Sequence, residues 1–261
     1  MRSLLLFVIV LIVGLSAQTP AAARTVAFVR LVHAVPNAPA ITLFANGTQQ
    51  GDALSFAGVG AYRSIPAGSY HFQLLPAGGE TGAPPPIEVK LAAGAYYTVA
   101  AVGIAPYIEP VAFVDEYRAP VQGKAGVRVY HLSPNAPAID LLQNGDRIVY
   151  NLPFPEASQI VDASADRIQR NMQILPATVS KPVLVTFDSA LLRADMVNDV
   201  FILNELAKIE VMVVPNAMLV PMPAELPRTG NDGGLDALIV LALLLTACGV
   251  IVRRRGREPY A

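Results

Sequence analysis

Two kinds of apolar pattern divide this chain of 261 residues. Each end holds one long unbroken run, Leu4 to Leu15 and Ala237 to Val252. Between them the apolar positions come in short segments, several alternating with polar ones at the period of two that marks a half-buried strand. Val26 to His33 is β-branched and alternating, and Ile41 to Ala45 is short and apolar. Asn46-Gly47 then supplies the dipeptide suited to a type I′ hairpin turn. Further strands are expected at Ala61–Ile65, Ser69–Pro76, Ile87–Leu91 and Tyr96–Val102, with Pro66-Ala67-Gly68 and Ala92-Ala93-Gly94 as turns between them. Six or seven short strands at this spacing predict an all-β fold, an antiparallel β-sandwich of immunoglobulin-like architecture. The cysteine and tryptophan marks of a true immunoglobulin domain are absent. The later stretch Ser189 to Glu205, with Leu191, Leu192, Asp195, Met196, Val197 and Asp199, is read as strand, with a helical turn as its alternative.

The pattern repeats. Val29-Arg30-Leu31-Val32-His33-Ala34-Val35-Pro36-Asn37-Ala38-Pro39-Ala40-Ile41 returns 98 residues later as Val127-Arg128-Val129-Tyr130-His131-Leu132-Ser133-Pro134-Asn135-Ala136-Pro137-Ala138-Ile139. The match continues through Asn46-Gly47 and Asn144-Gly145, and through Phe56 and Phe154. That period exceeds the roughly 20–50 residues of solenoid repeats, so each copy should be a domain with its own core. The expected organisation is a leader at 1–23, a first sandwich at 24–118, a linker at 119–126 and a second sandwich at 127–215. A proline-rich stalk follows at 216–234, then a membrane helix at 235–252 and a basic tail at 253–261.

The two ends predict the compartment. Arg2, the apolar run and the small residues Ala21 and Ala23 form a signal peptide, with cleavage expected after Ala23 and a signal helix before it. Leu226-Pro227-Arg228-Thr229-Gly230, an apolar segment and an arginine-rich tail follow one another at the other end. This order resembles the sorting signal of sortase substrates. The resemblance implies sortase as a processing partner, cleavage between Thr229 and Gly230, and transfer of Thr229 to a cell-wall precursor. A transmembrane helix held by its cytoplasmic arginines would otherwise anchor the chain in the membrane. Either way the middle faces outward.

Charge and chemistry narrow the function. The formal net charge is −1 and no basic stretch lies in the central region, so a nucleic-acid partner is not expected. The single cysteine, Cys248, sits in the C-terminal apolar run, leaving the displayed region without a thiol. His33 and His131 each end a strand before a Pro-Asn-Ala-Pro loop, but no orienting acid or nucleophile repeats with them. One repeated histidine per copy cannot supply zinc with three or four ligands. The histidines are therefore expected to hydrogen-bond the loop backbone, with Pro36, Asn37, Pro39, Pro134, Asn135 and Pro137 as a rigid connection. No metal, no cofactor and no catalytic activity are expected. Tyr62, Tyr70, Tyr96, Tyr97, Tyr107 and Tyr117 concentrate aromatics in the first copy and offer a face for a glycan, although strand aromatics are mostly core.

The run Val127 to Gly145, with His131, Ser133, Pro134, Ala136, Pro137, Asp140 and Asn144-Gly145, resembles the opening of the secreted bacterial family known as domain of unknown function 4397. The first copy matches it from Val29 to Gly47, and Pro66-Ala67-Gly68-Ser69-Tyr70 and Ala92-Ala93-Gly94-Ala95-Tyr96-Tyr97-Thr98-Val99 follow the family's later turns. The resemblance implies extracellular β-domains, often in tandem. Two functions are carried forward: a non-catalytic structural or adhesive surface protein, and a carbohydrate- or peptide-binding module using loops at one end of the sandwich.

Overall fold

The computed structural model describes residues 25–216, apart from 78, 80, 81, 166–170 and 180. The signal helix with Ala21 and Ala23, the stalk beyond Asn216, the Leu226–Gly230 motif and the transmembrane helix lie outside the described residues. Among the described residues no helix is long and apolar enough to cross a membrane.

The first copy folds as β1 (Val26–His33), β2 (Ile41–Ala45), β3 (Thr48–Gln49), β4 (Arg63–Pro66), β5 (Gly68–Pro76), β6 (Ile87–Leu91), β7 (Tyr96–Ile104) and β8 (Tyr107–Val114). They form two sheets, ordered β4-β1-β7-β8 and β3-β2-β5-β6. Val29, Leu31 and Val99 of one sheet pack against Leu43, Phe72 and Leu74 of the other, which is the core of a sandwich. Asn46 and Gly47 take φ of 47° and 78°, the left-handed pair a type I′ turn requires.

The second copy repeats the plan with β9 (Lys124–His131), β10 (Ile139–Gln143), β11 (Asp146–Leu152), β12 (Glu156–Ala157), β13 (Val161–Ser164), β14 (Asn171–Pro176), β15 (Val185–Asp188), β16 (Val197–Leu203) and β17 (Glu210–Asn216). One sheet runs β12-β9-β16-β17, with β13 also on β9, and the other β11-β10-β14-β15. Its own core joins Val127, Val129, Val200 and Ile202 to Leu141, Met172 and Ile174.

Four expectations need correction. The sheets are not wholly antiparallel: β1 pairs with β7, and β9 with β16, in parallel. Each of those pairs is joined by a long excursion through the opposite sheet, the kind of crossover that parallel neighbours need. Strand β8 was unforeseen because Pro110 breaks its pattern; β8 is an edge strand, where a missing N–H is tolerated. Strand β9 begins at Lys124, inside the expected linker 119–126. Gly126 lies within β9 and serves close packing, since a Cβ on it would meet Pro120 Cγ at 2.9 Å and Ile160 Cγ2 at 3.1 Å. The stretch 189–205 resolves into a 3-10 turn at Ser189–Leu191, capped by the Asp188 carboxylate, followed by β16.

The copies pack face to face as one compact unit. Val32, Ala34, Ala100, Val102 and Phe113 of the first form a third core with Tyr130, Leu132, Phe201 and Leu203 of the second. Tyr130 and Phe201 stack at 4.7 Å, and complete burial of such a ring stabilises by roughly 1.5–3 kcal/mol. The ends of β1, β7, β9 and β16 share this cluster, whereas Tyr96 and Val197, at the starts of β7 and β16, share another. Equivalent strands of the two copies therefore run the same way. Both Pro-Asn-Ala-Pro loops lie at one end of the unit, while Val26 and Asn216 lie at the other.

Candidate functional site at the seam between the copies

Alternation along β1 and β9 creates the seam. Val29 and Leu31 point into the first core, so Arg30 and Val32 point at the other copy, and Arg128 and Tyr130 do the same from β9. The result is a buried polar cluster. Arg30 Nη2 donates to Asp199 Oδ2 at 2.7 Å and Arg30 Nε to Thr98 Oγ1 at 2.8 Å. Arg128 donates to Asp199 Oδ1 from Nη2 at 2.7 Å and from Nε at 3.0 Å, and its Nη1 donates to the Glu116 carbonyl at 3.0 Å. Asp115 accepts from Tyr62 at 2.7 Å, from Thr98 at 2.6 Å and from the Tyr130 hydroxyl, with Arg128 Nη1 3.9 Å away. Asn216 Nδ2 completes the set by donating to Asp199 Oδ2 at 3.0 Å.

Two guanidinium groups and two carboxylates, each 3% exposed or less, thus balance in charge. Removing one partner from such a cluster is far costlier than never having built it, because the remaining charge stays buried and unpaired. Burial is the largest single influence and works against the charge of both arginines, but Asp199, Asp115 and the two phenols together outweigh it, and both pKa values sit above the ordinary value. Burial, reinforced by the carboxylates, raises the Tyr62 and Tyr130 hydroxyls. The phenols stay neutral donors.

The two halves of the cluster correspond position by position. Val29 pairs with Arg63 and Val127 with Val161, which makes Tyr62 and Ile160 equivalent. Arg30 pairs with Thr98 and Arg128 with Asp199 in the parallel ladders, so Thr98 and Asp199 are equivalent too. By the same ladders Asp115 corresponds to Asn216. The Arg30 guanidinium carbon lies 4.5 Å from the Tyr62 ring centroid. Arg128 has Ile160 in that place and lines a cleft of about 340 Å³, together with Val114, Glu116, Tyr117, Arg118 and Ser158.

The repeated histidines lie at the far end. His33 Nδ1 accepts from the Val35 N–H at 3.2 Å, so the other ring nitrogen carries the proton and donates to the Pro39 carbonyl at 3.0 Å. His131 makes the same pair with the Ser133 N–H at 3.4 Å and the Pro137 carbonyl at 3.0 Å. Burial lowers both pKa values. Asn37 is left-handed in its loop, with φ of 59°. Asn135 ties its loop to the β16–β17 connection by accepting from the Leu206 N–H at 2.7 Å. Pro36, Pro39, Pro134 and Pro137 stand in these loops between β1 and β2 and between β9 and β10. Asp140 is buried and accepts from the N–H groups of Asn151 and Thr178 at 2.7 and 3.0 Å.

The six tyrosines form no single face, although Tyr62 meets Tyr96 edge-on at 5.1 Å and Tyr96 and Tyr117 pack in one cluster. Tyr97 is buried and anchors the turn before it by accepting from the Ala92 N–H. Tyr96 stacks on Phe28, Tyr70 on Phe72, and Tyr62 is in the seam. Tyr107 is 81% exposed at the β7–β8 turn, and Tyr117 borders the cleft.

The family model described as "Domain of unknown function (DUF4397)" matches residues 27–142 and again 125–225. The chain belongs to the DUF4397 family. The first DUF4397 match spans the first copy and runs on through β9 into β10, and the second covers the second copy, so the two overlap at 125–142. No curated protein matches the sequence. Among solved structures, CBMbc (family CBM26) from Eubacterium rectale Amy13K, crystallised with maltoheptaose, is 10% identical, over 74% of this chain and 97% of that one. Its TM-score is 0.23, too low to bear on fold or ligand. The DUF4397 repeat carries Arg30 and Arg128 at matching positions, but nothing local in the sequence marks Asp199 as the partner of both. The available signal was that each sits in a strand apolar on both faces.

Proposed function

We propose that this protein is a non-catalytic surface protein that displays its two sandwiches outside the membrane as one stiff body, tethered through its C-terminal end. The observation that carries this reading is the seam. Arg30 reaches Asp199 and Tyr130 reaches Asp115 across it, and the repeated histidines engage their own loops, so the buried polar groups serve the architecture. A stiff double unit whose C-terminal strand ends opposite the two Pro-Asn-Ala-Pro loops suits presentation away from an attachment point, with a structural or adhesive role. The leader and the Leu226–Gly230 motif support export and attachment by sortase to a cell-wall precursor.

Mass spectrometry of wall digests tests the tether. A mature protein that begins at Arg24 and ends at Thr229 joined to a wall peptide is expected. A mature protein that retains Arg253 to Arg257 overturns sortase attachment and leaves membrane anchoring in its place. Turnover of any member of a broad glycoside, ester and peptide substrate panel by the purified protein, lost on mutation of a surface residue, would overturn the non-catalytic reading.

A further inference from the structure

The internal comparison of the two copies says what the seam cleft is shaped to hold. In the first copy a phenol ring covers a buried guanidinium: Tyr62 lies over Arg30 and its hydroxyl donates to Asp115. In the second copy the equivalent guanidinium, Arg128, has Tyr130 at 5.3 Å from its carbon, while the place of the covering phenol holds the shorter Ile160, packed against Tyr96 and Tyr117, and the cleft opens beside it. We propose that this cleft is a binding site for a phenolic ring, supplied by a tyrosine side chain on an extended peptide.

Size, charge and surroundings agree with that ligand. About 340 Å³ lies at the lower end of the roughly 300–1,000 Å³ of small-molecule sites, which suits one ring rather than an oligosaccharide. Glu116 and Arg118 at the mouth are of opposite sign, so no net charge selects an ion. Ile160 and Val114 supply apolar walls, and a desolvated guanidinium attracts the face of an aromatic ring within about 6 Å. The peptide is favoured over a free phenol by what adjoins the cleft. A shallower trough of about 350 Å³, lined by Val111 to Val114 and Pro155 to Ala157, shares Val114 and Ala157 with it. The trough follows β8, which pairs only with β7 among the described strands. An extended chain can add to such an edge through main-chain hydrogen bonds while one side chain fills a pocket.

The test uses residues 24–220, the span that contains all three cores, and reads the methyl resonances of Ile160 and Val114 by NMR. Three probes are titrated: p-cresol, cyclohexanol, and a neutral pentapeptide with a central tyrosine flanked by valines. Saturable shifts of both methyls by p-cresol are expected, with cyclohexanol at least fivefold weaker and the pentapeptide at least tenfold tighter. Ile160→Tyr, which rebuilds the first copy's ring in the second, should abolish all three responses. Should that variant fail to fold, Gln159→Trp at the exposed mouth should weaken them at least fivefold. Methyls unmoved by p-cresol, or shifts equal in wild type and the filled variants, overturn the site. Equal binding of cyclohexanol and p-cresol overturns the role of the guanidinium, and a pentapeptide no tighter than p-cresol overturns the peptide source.

Discussion

In the first copy a tyrosine closes over Arg30; in the second, isoleucine stands at the same point of the ladder and Arg128 borders a cleft. The carboxylates are also placed differently. Asp115 follows β8 in the first copy, where the second has Asn216, and Asp199 sits within β16, where the first has Thr98. Each copy thus supplies one arginine from the same position and one aspartate from a different one. Once two copies share a chain, each residue of the seam needs to fit only its one neighbour, so a symmetric interface can become asymmetric without losing charge balance. The asymmetry concentrates both arginines on Asp199, whose two oxygens each take one.

That concentration sets the order of expected effects. Asp199→Ala should be the most damaging change, costing about 3–5 kcal/mol in chemical denaturation because two buried arginines lose their acceptor. Tyr62→Ile makes the first copy like the second. It should cost about 2–3 kcal/mol through the lost ring and the loss of one of the three hydroxyl donors to buried Asp115, measured the same way. The histidines give a pH test that treats the copies alike. Burial lowers the pKa of His33 and His131 below the ordinary imidazole value of 6.5, so below that pH the unfolded chain binds more protons than the folded one. Stability should therefore be full above about pH 6.5 and fall as pH drops through the lowered values, and His33→Gln with His131→Gln should flatten the slope. The smallest effect is a gain: Ile160→Tyr makes the second copy like the first and should raise stability by up to about 1 kcal/mol in thermal melts.

Much of each sandwich was legible because its strands obey local rules. Val26–His33, Ile41–Ala45 and Ile87–Leu91 are found at the predicted bounds, and the Asn-Gly hairpins hold the expected left-handed pair at Asn46-Gly47. The seam was not legible, because an arginine in an alternating strand reads as a solvent-facing residue until its partner is known. Nothing local connects Arg30 to Asp199, 169 positions away. The better clue was the near-continuous burial of β7, β9 and β16, whose sequences are apolar on both faces, as strands covered on both sides are. The tyrosines misled for the opposite reason: Tyr62, Tyr96 and Tyr117 gather beside the seam, but Tyr70 and Tyr97 lie in the first copy's core and Tyr107 at a turn, so no one face carries all six.

Entry and exit of the chain at one end of the double unit fix how it would bear a load. A pull between the far loops and the residues after Asn216 runs along the strand axes. The seven residue pairs of β16 and β17 would then be drawn past one another together, in shear, rather than parted one by one from an end. With β9 on its other side and the buried arginines beneath it, β16 would pass that tension into both copies at once.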